Sequence, residues 1–554
     1  MKQFLLASAA IWAVFAAPAL AADIAPAKIA EHVKVLSSDA YEGRAPATEG
    51  EKKTVAYIIE QYKAAGLQPG GDLKDGQRAW TQDVPLARFE NEGPVTVSVN
   101  LGGKTQTWTQ GEEVALRAAQ TGADRVSIKD APIVFVGYGV TAPERNWDDF
   151  KGQDLKGKIA LVLVNDPDFE TGPDVKNGGD FGGKAMTYYG RWTYKFEEAA
   201  RRGAAGFLVV HETAPASYGW ATVKNSNTNT VFDIIRDKPS DAHAPLEGWI
   251  QRDKAVELLK ASGLDFETLK KQAQTRDFKP VELKGATFST DYAVDVQKIV
   301  SKNVVGLVPG AKRPDEVVIY SSHWDHLGVG LPDAKGDTIY NGAVDNADGI
   351  ATMIEIGRAF ANGPKPDRSV LFLAVTAEEK GLLGSEYYSA SPLYPLAKTV
   401  ANINMDALSP SGPAKDFTSS GNAASTLQDD LIAVGKTHGR YYSPDPRPEA
   451  GSFFRSDHFP FAKRGVPAIS FGSGRDLVNG GTAAGDAFSK VYTADRYHQP
   501  ADEYDPSWNL EGMAQDGQLM LDLGRKLANS TEWPEWKAGS EFKLTRDATA
   551  SQRK

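Results

Sequence analysis

No cysteine occurs among the 554 residues of this chain. This absence excludes disulfide bonds, thiolate nucleophiles and thiolate metal ligands. A bound metal would therefore have histidine, aspartate and glutamate as its ligands. A chain of this length buries a sizeable core without disulfides, and at roughly 100–200 residues per domain it is expected to form more than one domain.

An excess of positive charge is also absent. The chain has 62 lysine and arginine residues against 72 aspartate and glutamate residues, which gives a formal net charge of −10 at pH 7. It has no basic stretch interleaved with aromatic residues, a pattern that is typical of proteins that bind DNA or RNA. We therefore expect no nucleic-acid partner and attribute the acidity to solubility.

Apolar runs long enough for a targeting segment are absent after the first residues. Met1 and Lys2 precede the segment FLLASAAIWAVFAAPAL, and residues 19–21 form an A-x-A-like cleavage site. This pattern predicts a secretory signal peptide over residues 1–21. A single membrane anchor is disfavoured because the run is short and ends in small residues. We expect an exported protein, periplasmic or secreted, with no integral membrane segment after the signal peptide is removed.

The rest of the chain changes pattern along its length. Apolar residues at three- and four-residue spacing predict helices between about residues 24 and 68, and alternating segments predict exposed strands after them. After residue 303, apolar runs of strand length alternate with helical patterns. This order favours an α/β fold with a doubly wound, mainly parallel sheet flanked by helices.

The middle of the chain has a different pattern, with short apolar strands bounded by glycine, proline and aspartate, which indicates a self-contained α/β or β-rich insert. The predicted division is a main domain built from residues 22–119 and 291–535, an insert over residues 120–290 and an exposed tail over residues 536–554.

Several predicted strands end in histidine or carboxylate side chains, which can bind metal ions or transfer protons. EVVIYSS ends at His323, SVLFLAVTA ends at Glu378 and Glu379, and TVANINM ends at Asp406. In open α/β sheets the functional crevice lies outside the carboxyl ends of the strands. Taken alone, each residue has an ordinary structural explanation, such as a surface acid or a buried histidine. Together they indicate a site at one edge of the sheet.

Two further residues can join this edge. Asp345 lies just before a predicted helix, where a lone aspartate would ordinarily cap the helix or face its dipole. His498 lies in the late loop RYHQPADEYD. Hydrolytic two-metal sites need a bridging carboxylate, further histidine and carboxylate ligands, and an unliganded base. The five candidate ligands are His323, Asp345, Glu379, Asp406 and His498.

Glu378 remains as the candidate base in this scheme. Adjacent residues of a strand point to opposite sides. We therefore expect Glu378 and Glu379 to have different roles, one on a metal ion and one on the attacking water.

Six motifs occur in an order that is shared with a known family. They are SSHWDHLG, NGAVDNADGIAT, AVTAEEKGLLGSEYY, NINMDAL, SDHFPFAKRGVPAISF and YHQPADEYD. Together they resemble the secreted di-zinc aminopeptidases of the aminopeptidase Y family, over roughly residues 295–530 and the helices before residue 110. The insert resembles a protease-associated domain in its sequence pattern and in its position along the chain. The resemblance implies a zinc-exopeptidase-like fold, two zinc ions and peptide substrates.

The resemblance also implies a role for each residue of the motifs. Glu378 is expected to act as general acid and base, and the peptide bond after Asp345 is expected to be cis. Asp325 is expected to orient His323 without binding the metal itself. The implied zinc ligands are His323 and Asp406 on one ion, Glu379 and His498 on the other, and Asp345 as the bridge.

One position departs from the family pattern. Leucyl-type members have a tyrosine three residues before the Ser-Asp-His block, where it helps to polarise the substrate carbonyl, and this chain has Phe453 there. A phenyl ring donates no such hydrogen bond. By position, Phe453 and Phe454 are predicted to wall the substrate pocket, and Asp457 and His458 to line or support it.

Four possibilities are weighed at this point. Aminopeptidase activity is favoured by the motif set, but a carboxypeptidase or dipeptidase uses the same metal ligands. A carboxypeptidase needs a cation for the terminal carboxylate, and Arg455 is the candidate. A non-catalytic, receptor-like protein is disfavoured because no expected ligand is substituted, and glutaminyl cyclisation because it usually goes with one zinc. His326 has no role implied by the family, and the sequence does not give the oligomeric state.

Overall fold

The structure is a computed structural model that describes residues 24–171, 181–330, 332–421 and 424–553. The predicted signal peptide, residues 1–21, lies outside the described residues, so export stays a prediction. Within the described part, no helix combines the length and the apolar character that crossing a bilayer requires.

Fourteen helices lie in the described residues. They are α1 (Pro26–Leu36), α2 (Glu49–Ala65), α3 (Trp192–Arg201), α4 (Thr213–Ala216), α5 (Trp220–Asn227), α6 (Arg252–Ala261), α7 (Phe266–Ala273), α8 (Asp348–Ala361), α9 (Leu383–Ala390), α10 (Thr426–Thr437), α11 (His458–Lys463), α12 (Gly481–Asp495), α13 (Glu511–Asn529) and α14 (Lys543–Asp547).

Twenty-two strands lie in the same residues. They are β1 (Gln68–Pro69), β2 (Leu73–Lys74), β3 (Gln77–Arg78), β4 (Thr81–Leu101), β5 (Lys104–Thr109), β6 (Val114–Leu116), β7 (Arg125–Phe135), β8 (Thr141–Ala142), β9 (Trp147–Asp148), β10 (Ile159–Leu163), β11 (Gly206–His211), β12 (Val231–Ile234), β13 (Leu246–Gln251), β14 (Val281–Val308), β15 (Arg313–His323), β16 (Gly328–Val329), β17 (Ile339–Tyr340), β18 (Arg368–Val375), β19 (Thr399–Met405), β20 (Asp416–Ser419), β21 (Tyr441–Tyr442) and β22 (Ala468–Ser473).

Local sequence signals explain where the N-terminal helices begin and end. Thr48 caps α2 by accepting a hydrogen bond at its side chain from the backbone N–H of Glu51. Glutamates in the first turn favour the positive end of the helix dipole. Gly66 ends α2 with φ of 90°, a left-handed conformation that glycine adopts without a steric cost.

The predicted α/β fold is confirmed. β22, β19, β15 and β18 are neighbours in that order, and every adjacent pair is parallel. Every residue of β18 and β19 is buried, as expected for parallel strands covered on both faces. Helices α8 and α13 pack on β15, and α11 packs on β19 and β22. One large core therefore surrounds this part of the sheet.

The middle of the chain has its own core but shares the sheet. β7, β10, β11 and β13 form a second set of parallel neighbours. β14 pairs with β18 near one end and with β7 nearer the other, so the strands form one continuous sheet. The second core also takes side chains from β4 and β5, which precede the predicted insert. The division at residues 119/120 and 290/291 stays a prediction.

The segment from residue 536, which the sequence predicts to be an exposed tail, has mostly exposed residues but is anchored to the main core by a few buried side chains. Trp536 and Phe542 are only 2% and 5% exposed and belong to the main core. The Trp536 indole donates a 3.0 Å hydrogen bond to the carbonyl oxygen of Gly465. Because these aromatic side chains are buried, the segment packs against the domain instead of extending into solvent.

Candidate active site

Three parallel strands end at one edge of the sheet and bring the predicted side chains together. β15 ends at His323, β19 ends immediately before Asp406, and β18 ends at Val375, shortly before Glu378. β15 lies between β18 and β19 and is parallel to both. The crevice outside the carboxyl ends of these strands is therefore the place where the predicted residues meet.

His323, Asp345 and Asp406 form one group. His323 Nε2 lies 3.2 Å from Asp345 Oδ1 and 3.2 Å from Asp406 Oδ1. Ser456 donates a 2.5 Å hydrogen bond from Oγ to Asp406 Oδ2, which leaves Oδ1 facing the histidine. The donor atoms of this group all lie within 4.8 Å of one another, close enough to bind one metal ion.

Glu379 and His498 form a second group around the same aspartate. His498 Nε2 lies 3.2 Å from Asp345 Oδ2 and 3.2 Å from Glu379 Oε2. The other oxygen of Glu379, Oε1, lies 2.7 Å from Nδ1 of His326, which is fully buried. Asp345 therefore directs one oxygen to His323 and the other to His498, as a bridging ligand would.

The turn before α8 holds Asp345 in this position. The Asp345–Asn346 peptide bond is cis, as predicted. Asp502 accepts hydrogen bonds from the backbone N–H groups of Val344 and Asp345 at 3.2 and 3.1 Å. The side-chain amide of Asn346 donates a 3.0 Å hydrogen bond to the carbonyl oxygen of Met405. These contacts connect the turn to the end of β19.

Arg44 connects the N-terminal segment to the same turn. Its buried guanidinium donates hydrogen bonds to the carbonyl oxygens of Leu36, Trp324 and Gly342 at 2.7, 2.9 and 2.8 Å. Burial lowers the pKa of Arg44 to about 10, although the carboxylate of Asp502 and other acids nearby oppose the decrease. The residue supplies a fixed positive charge close to the acidic site.

Glu378 and Glu379 are separated by a turn, which corrects the expectation that strand alternation separates them. β18 ends at Val375, and Ala377 then adopts the left-handed region at φ of 53°. The backbone N–H of Glu378 donates a 3.0 Å hydrogen bond to Asp325 Oδ1. Both glutamates thus follow a sharp change of chain direction, and this turn sends their carboxylates to different places.

Asp325 contacts His323 through its backbone. The ring nitrogen Nδ1 of His323 lies 3.1 Å from the carbonyl oxygen of Asp325 and 3.9 Å from its carboxylate. The backbone oxygen therefore orients the imidazole, while the carboxylate positions the turn that holds Glu378.

The carboxyl of Glu378 has the environment of a proton carrier. Burial raises its pKa well above the ordinary value; attraction to His323 opposes the rise, and repulsion from Asp406 and Glu379 adds to it. No side chain that the structure describes donates a hydrogen bond to this carboxylate. A carboxyl with a raised pKa that is free of ligands is suited to accept and return a proton near neutral pH.

Asp345 and Glu379 are held ionised. Although burial alone would raise the pKa of Asp345, hydrogen bonds from His323 and His498 keep it well below the ordinary value. Contacts with His326 and His498 likewise lower the pKa of Glu379 to about 2 against burial and the Asp345 charge. Ionised carboxylates and imidazoles within reach of one another form a donor set that fits divalent metal ions such as zinc.

Two cavities adjoin this centre. One, of about 370 Å³, lies between the catalytic edge and the insert, and Glu378, Phe454 and Arg455 line it. The other, of about 330 Å³, is lined by Asp345, Glu378 and Arg455. Phe454 and Arg455 therefore lie where a substrate would bind.

Phe453 is not a wall of either cavity, and the prediction that it is one was wrong. It is 4% exposed and packs against Phe542 and the ring of His458 in the core. Burial lowers the pKa of His458 to about 3, which keeps that ring neutral. Asp457 accepts a 2.6 Å hydrogen bond from Ser385. Asp457 and His458 thus support the site from within the core.

Two residues at the site were not identified from the sequence. His326 approaches Glu379, and Tyr497 lines both cavities and stacks on His498 at 3.9 Å between ring centroids. The signals were present, because His326 is the second histidine of SSHWDHLG and Tyr497 precedes His498 in YHQPADEYD. Tyr497 thus places a phenol at the site, whereas Phe453 lies in the core and has no hydroxyl group.

Known proteins are similar to the part of the chain that forms this site. Residues 303–522 match Peptidase family M28. The matched segment contains all five proposed ligands and Glu378. Over these residues the chain is similar to the peptidases of that family.

Individual relatives are similar over shorter stretches. Aminopeptidase NAALADL1 of Mus musculus is 38% identical over 112 residues, which is 19% of this chain and 13% of that protein. Leupeptin-inactivating enzyme 1 of Streptomyces exfoliatus is 28% identical over 228 residues, 38% of this chain and 47% of that protein. The chain spans 13% to 23% of the first curated relatives that it matches.

Among solved structures, the aminopeptidase from Aneurinibacillus sp. strain AM-1 is similar over 92% of this chain and 96% of its own, with 18% identity and a TM-score of 0.48.

Proposed function

We propose that this protein is a zinc-dependent aminopeptidase of the aminopeptidase Y type, with residues 120–290 as a protease-associated insert. The observation that carries the proposal is the position of Asp345, whose two carboxylate oxygens face His323 and His498 at 3.2 Å each. Such a bridging acid, together with an unliganded glutamate beside it, is what two-metal hydrolysis requires.

The donor atoms divide into two sets for two ions. His323 and Asp406 would hold one zinc, Glu379 and His498 the other, and Asp345 both. Bound zinc supplies Lewis acidity and lowers the pKa of water.

Within this arrangement Glu378 moves the proton. Its carboxylate accepts a proton from the water that attacks the scissile carbonyl, and the same carboxyl then donates it to the nitrogen of the leaving amine. Tyr497 lies between the two cavities, where its phenol can donate a hydrogen bond to the oxyanion. The acids around the site favour the positively charged amino terminus of a peptide.

The test is hydrolysis of amino-acid anilides by the metal-loaded protein, by the same protein with chelator, and by Glu378→Gln. The expected loss is at least about 100-fold in kcat for the variant, because general acid–base catalysis contributes roughly 10² to 10⁴-fold. Glu49→Gln, at a glutamate that is 64% exposed on α2, is the matched control. Retention of most turnover by Glu378→Gln, with the control active, would show that another residue is the base.

A carboxypeptidase or dipeptidase is the second candidate, because Arg455 lines both cavities and can bind a terminal carboxylate. Comparison of free and N-acetylated peptides separates the two. An aminopeptidase requires the free amine, whereas a carboxypeptidase accepts the acetylated peptide. Metal analysis of the same sample tests the two-zinc assignment.

A further inference from the structure

Several cations line the cavity of about 370 Å³ beside Glu378. Arg117, Arg191 and Arg236 reach it from the insert, and Arg455 and Lys463 reach it from the catalytic part. Buried cations are normally paired with carboxylates. A cation that has no carboxylate partner in the wall is therefore available to bind a ligand.

Three of these cations are neutralised within the wall. Arg236 binds Asp233 through two nitrogens at 2.7 and 3.1 Å. Lys463 lies 3.1 Å from Glu197. Arg117 lies 3.8 Å from Glu247. These pairs hold the walls together and leave little charge for a ligand.

Arg191 and Arg455 have no such partner. Among the residues that the structure describes, no carboxylate lies within ion-pair distance of either guanidinium, and no hydrogen-bond acceptor contacts either. The Nε of Arg191 is buried without a hydrogen bond. Burial lowers the pKa of Arg191 to about 10, and the charge of Arg455 lowers it further, against the effect of Tyr218. Lys380, at the same cavity, also forms no ion pair in the described residues.

The fold therefore places two unpaired guanidiniums close enough to repel each other, next to the proposed base. A buried donor without an acceptor costs free energy unless a ligand completes it. The complement of paired guanidiniums is a planar anion that accepts two hydrogen bonds from each, and the carboxylate is the form in which peptides supply it.

We propose that Arg191 and Arg455 form a subsite that binds a carboxylate of the peptide substrate, so that one residue from the insert and one from the catalytic part select acidic substrates together. The inference rests on the proposed peptidase function and names the substrate class. The carboxylate has two sources, the side chain of aspartate or glutamate and the C-terminus of a short peptide.

The experiment measures kcat/KM of the metal-loaded, full-length protein on matched peptide pairs. Glu-Ala-amide against Gln-Ala-amide tests a side-chain carboxylate before the scissile bond, and Ala-Glu-amide against Ala-Gln-amide tests one after it. Ala-Gln against Ala-Gln-amide tests the terminal carboxylate. In at least one pair the carboxylate is expected to raise kcat/KM by roughly 10- to 100-fold, the range for hydrogen bonds to charged groups.

Arg191→Gln and Arg455→Gln are each expected to lower that ratio by about 10-fold or more. Arg125→Gln removes the same charge from the insert at a residue that is 55% exposed and paired with Asp291, and is expected to leave the ratio unchanged. Arg455 is exposed, so its variant is expected to fold even if Arg191→Gln does not.

Two further results separate this inference from the proposed function. If the peptides are cleaved but every ratio is near one, or if both arginine variants keep the ratio, the subsite is refuted while the peptidase assignment stands. Calorimetric titration of Glu378→Gln with the preferred acidic peptide and its neutral partner gives a readout without turnover. Equal affinity for both, before and after Arg455→Gln is added, would overturn the inference even if no peptide is cleaved.

Discussion

Replacing His243 by glutamine is expected to remove a pH-dependent part of the free energy of unfolding. His243 lies between β12 and β13 in the insert, at the wall of the larger cavity. Its Nε2 is 3.0 Å from Asp233 and its Nδ1 is 3.1 Å from Glu247, and only 15% of the side chain is exposed. Burial by itself would lower the pKa of this histidine, but the two carboxylates outweigh burial and raise it to about 9.

The raised pKa of His243 determines the sign and the magnitude of its contribution to the free energy of unfolding. The folded state holds the proton more tightly than the unfolded state, in which the pKa is near the ordinary 6.5. The stabilisation is therefore complete below about pH 6.5 and is lost as the pH rises through about 9. Since one pKa unit corresponds to about 1.4 kcal/mol, the full contribution is roughly 3 kcal/mol.

Urea denaturation of the wild type and His243→Gln at pH 6 and pH 10 measures this contribution. The difference in unfolding free energy between the two proteins is expected to be about 3 kcal/mol larger at pH 6. The comparison cancels the titrating groups that do not contact His243, and Arg236 still neutralises Asp233 in the variant. A difference that is the same at both pH values would refute the assignment of a charged histidine held by two acids.

Three other predictions concern the site and the core. Tyr497→Phe is expected to lower kcat by about 10- to 100-fold, as for loss of one hydrogen bond to a developing negative charge, while the melting temperature stays unchanged in a thermal scan. His326→Ala is expected to weaken zinc binding about 10- to 100-fold in calorimetric titration, because Glu379 loses its neighbour, and unchanged affinity would exclude that role. Phe542→Ala is expected to lower the unfolding free energy by about 3–5 kcal/mol, and a loss below about 1 kcal/mol would contradict its place in the core beside Trp536.

The meeting of the candidate ligands was predictable because most of them follow the ends of predicted strands. The sequence shows which residues follow the buried runs that end at His323 and Met405, and parallel strands bring such residues to one edge. The same argument failed for Glu378 and Glu379, because the strand ends at Val375 and a left-handed residue turns the chain before them. A local backbone conformation of this kind leaves no periodicity to detect.

The rest of the site depends on contacts between distant parts of the chain. Arg191 and Arg455 line one cavity only because the predicted insert packs beside this edge of the sheet, and no spacing in the sequence indicates that they share it. Phe453 was assigned to the pocket by its position in a motif, but the aromatic residues near the C-terminus draw it into the core. The predicted exposed tail rests on the polar composition of the segment, and composition does not show that a few of its aromatic side chains are buried.

The two long strands have a consequence for any attempt to move or remove the middle of this protein. β4 has 21 residues and β14 has 28, and they pair from Leu101 with Ala286 to Thr81 with Val304. At about 3.3 Å per residue, β4 alone extends for roughly 70 Å. The insert is thus joined by a stiff two-stranded ribbon and not by flexible linkers. A transplant of the predicted insert to another protein would have to include the ribbon, and it would carry Arg191 of the proposed subsite but not Arg455.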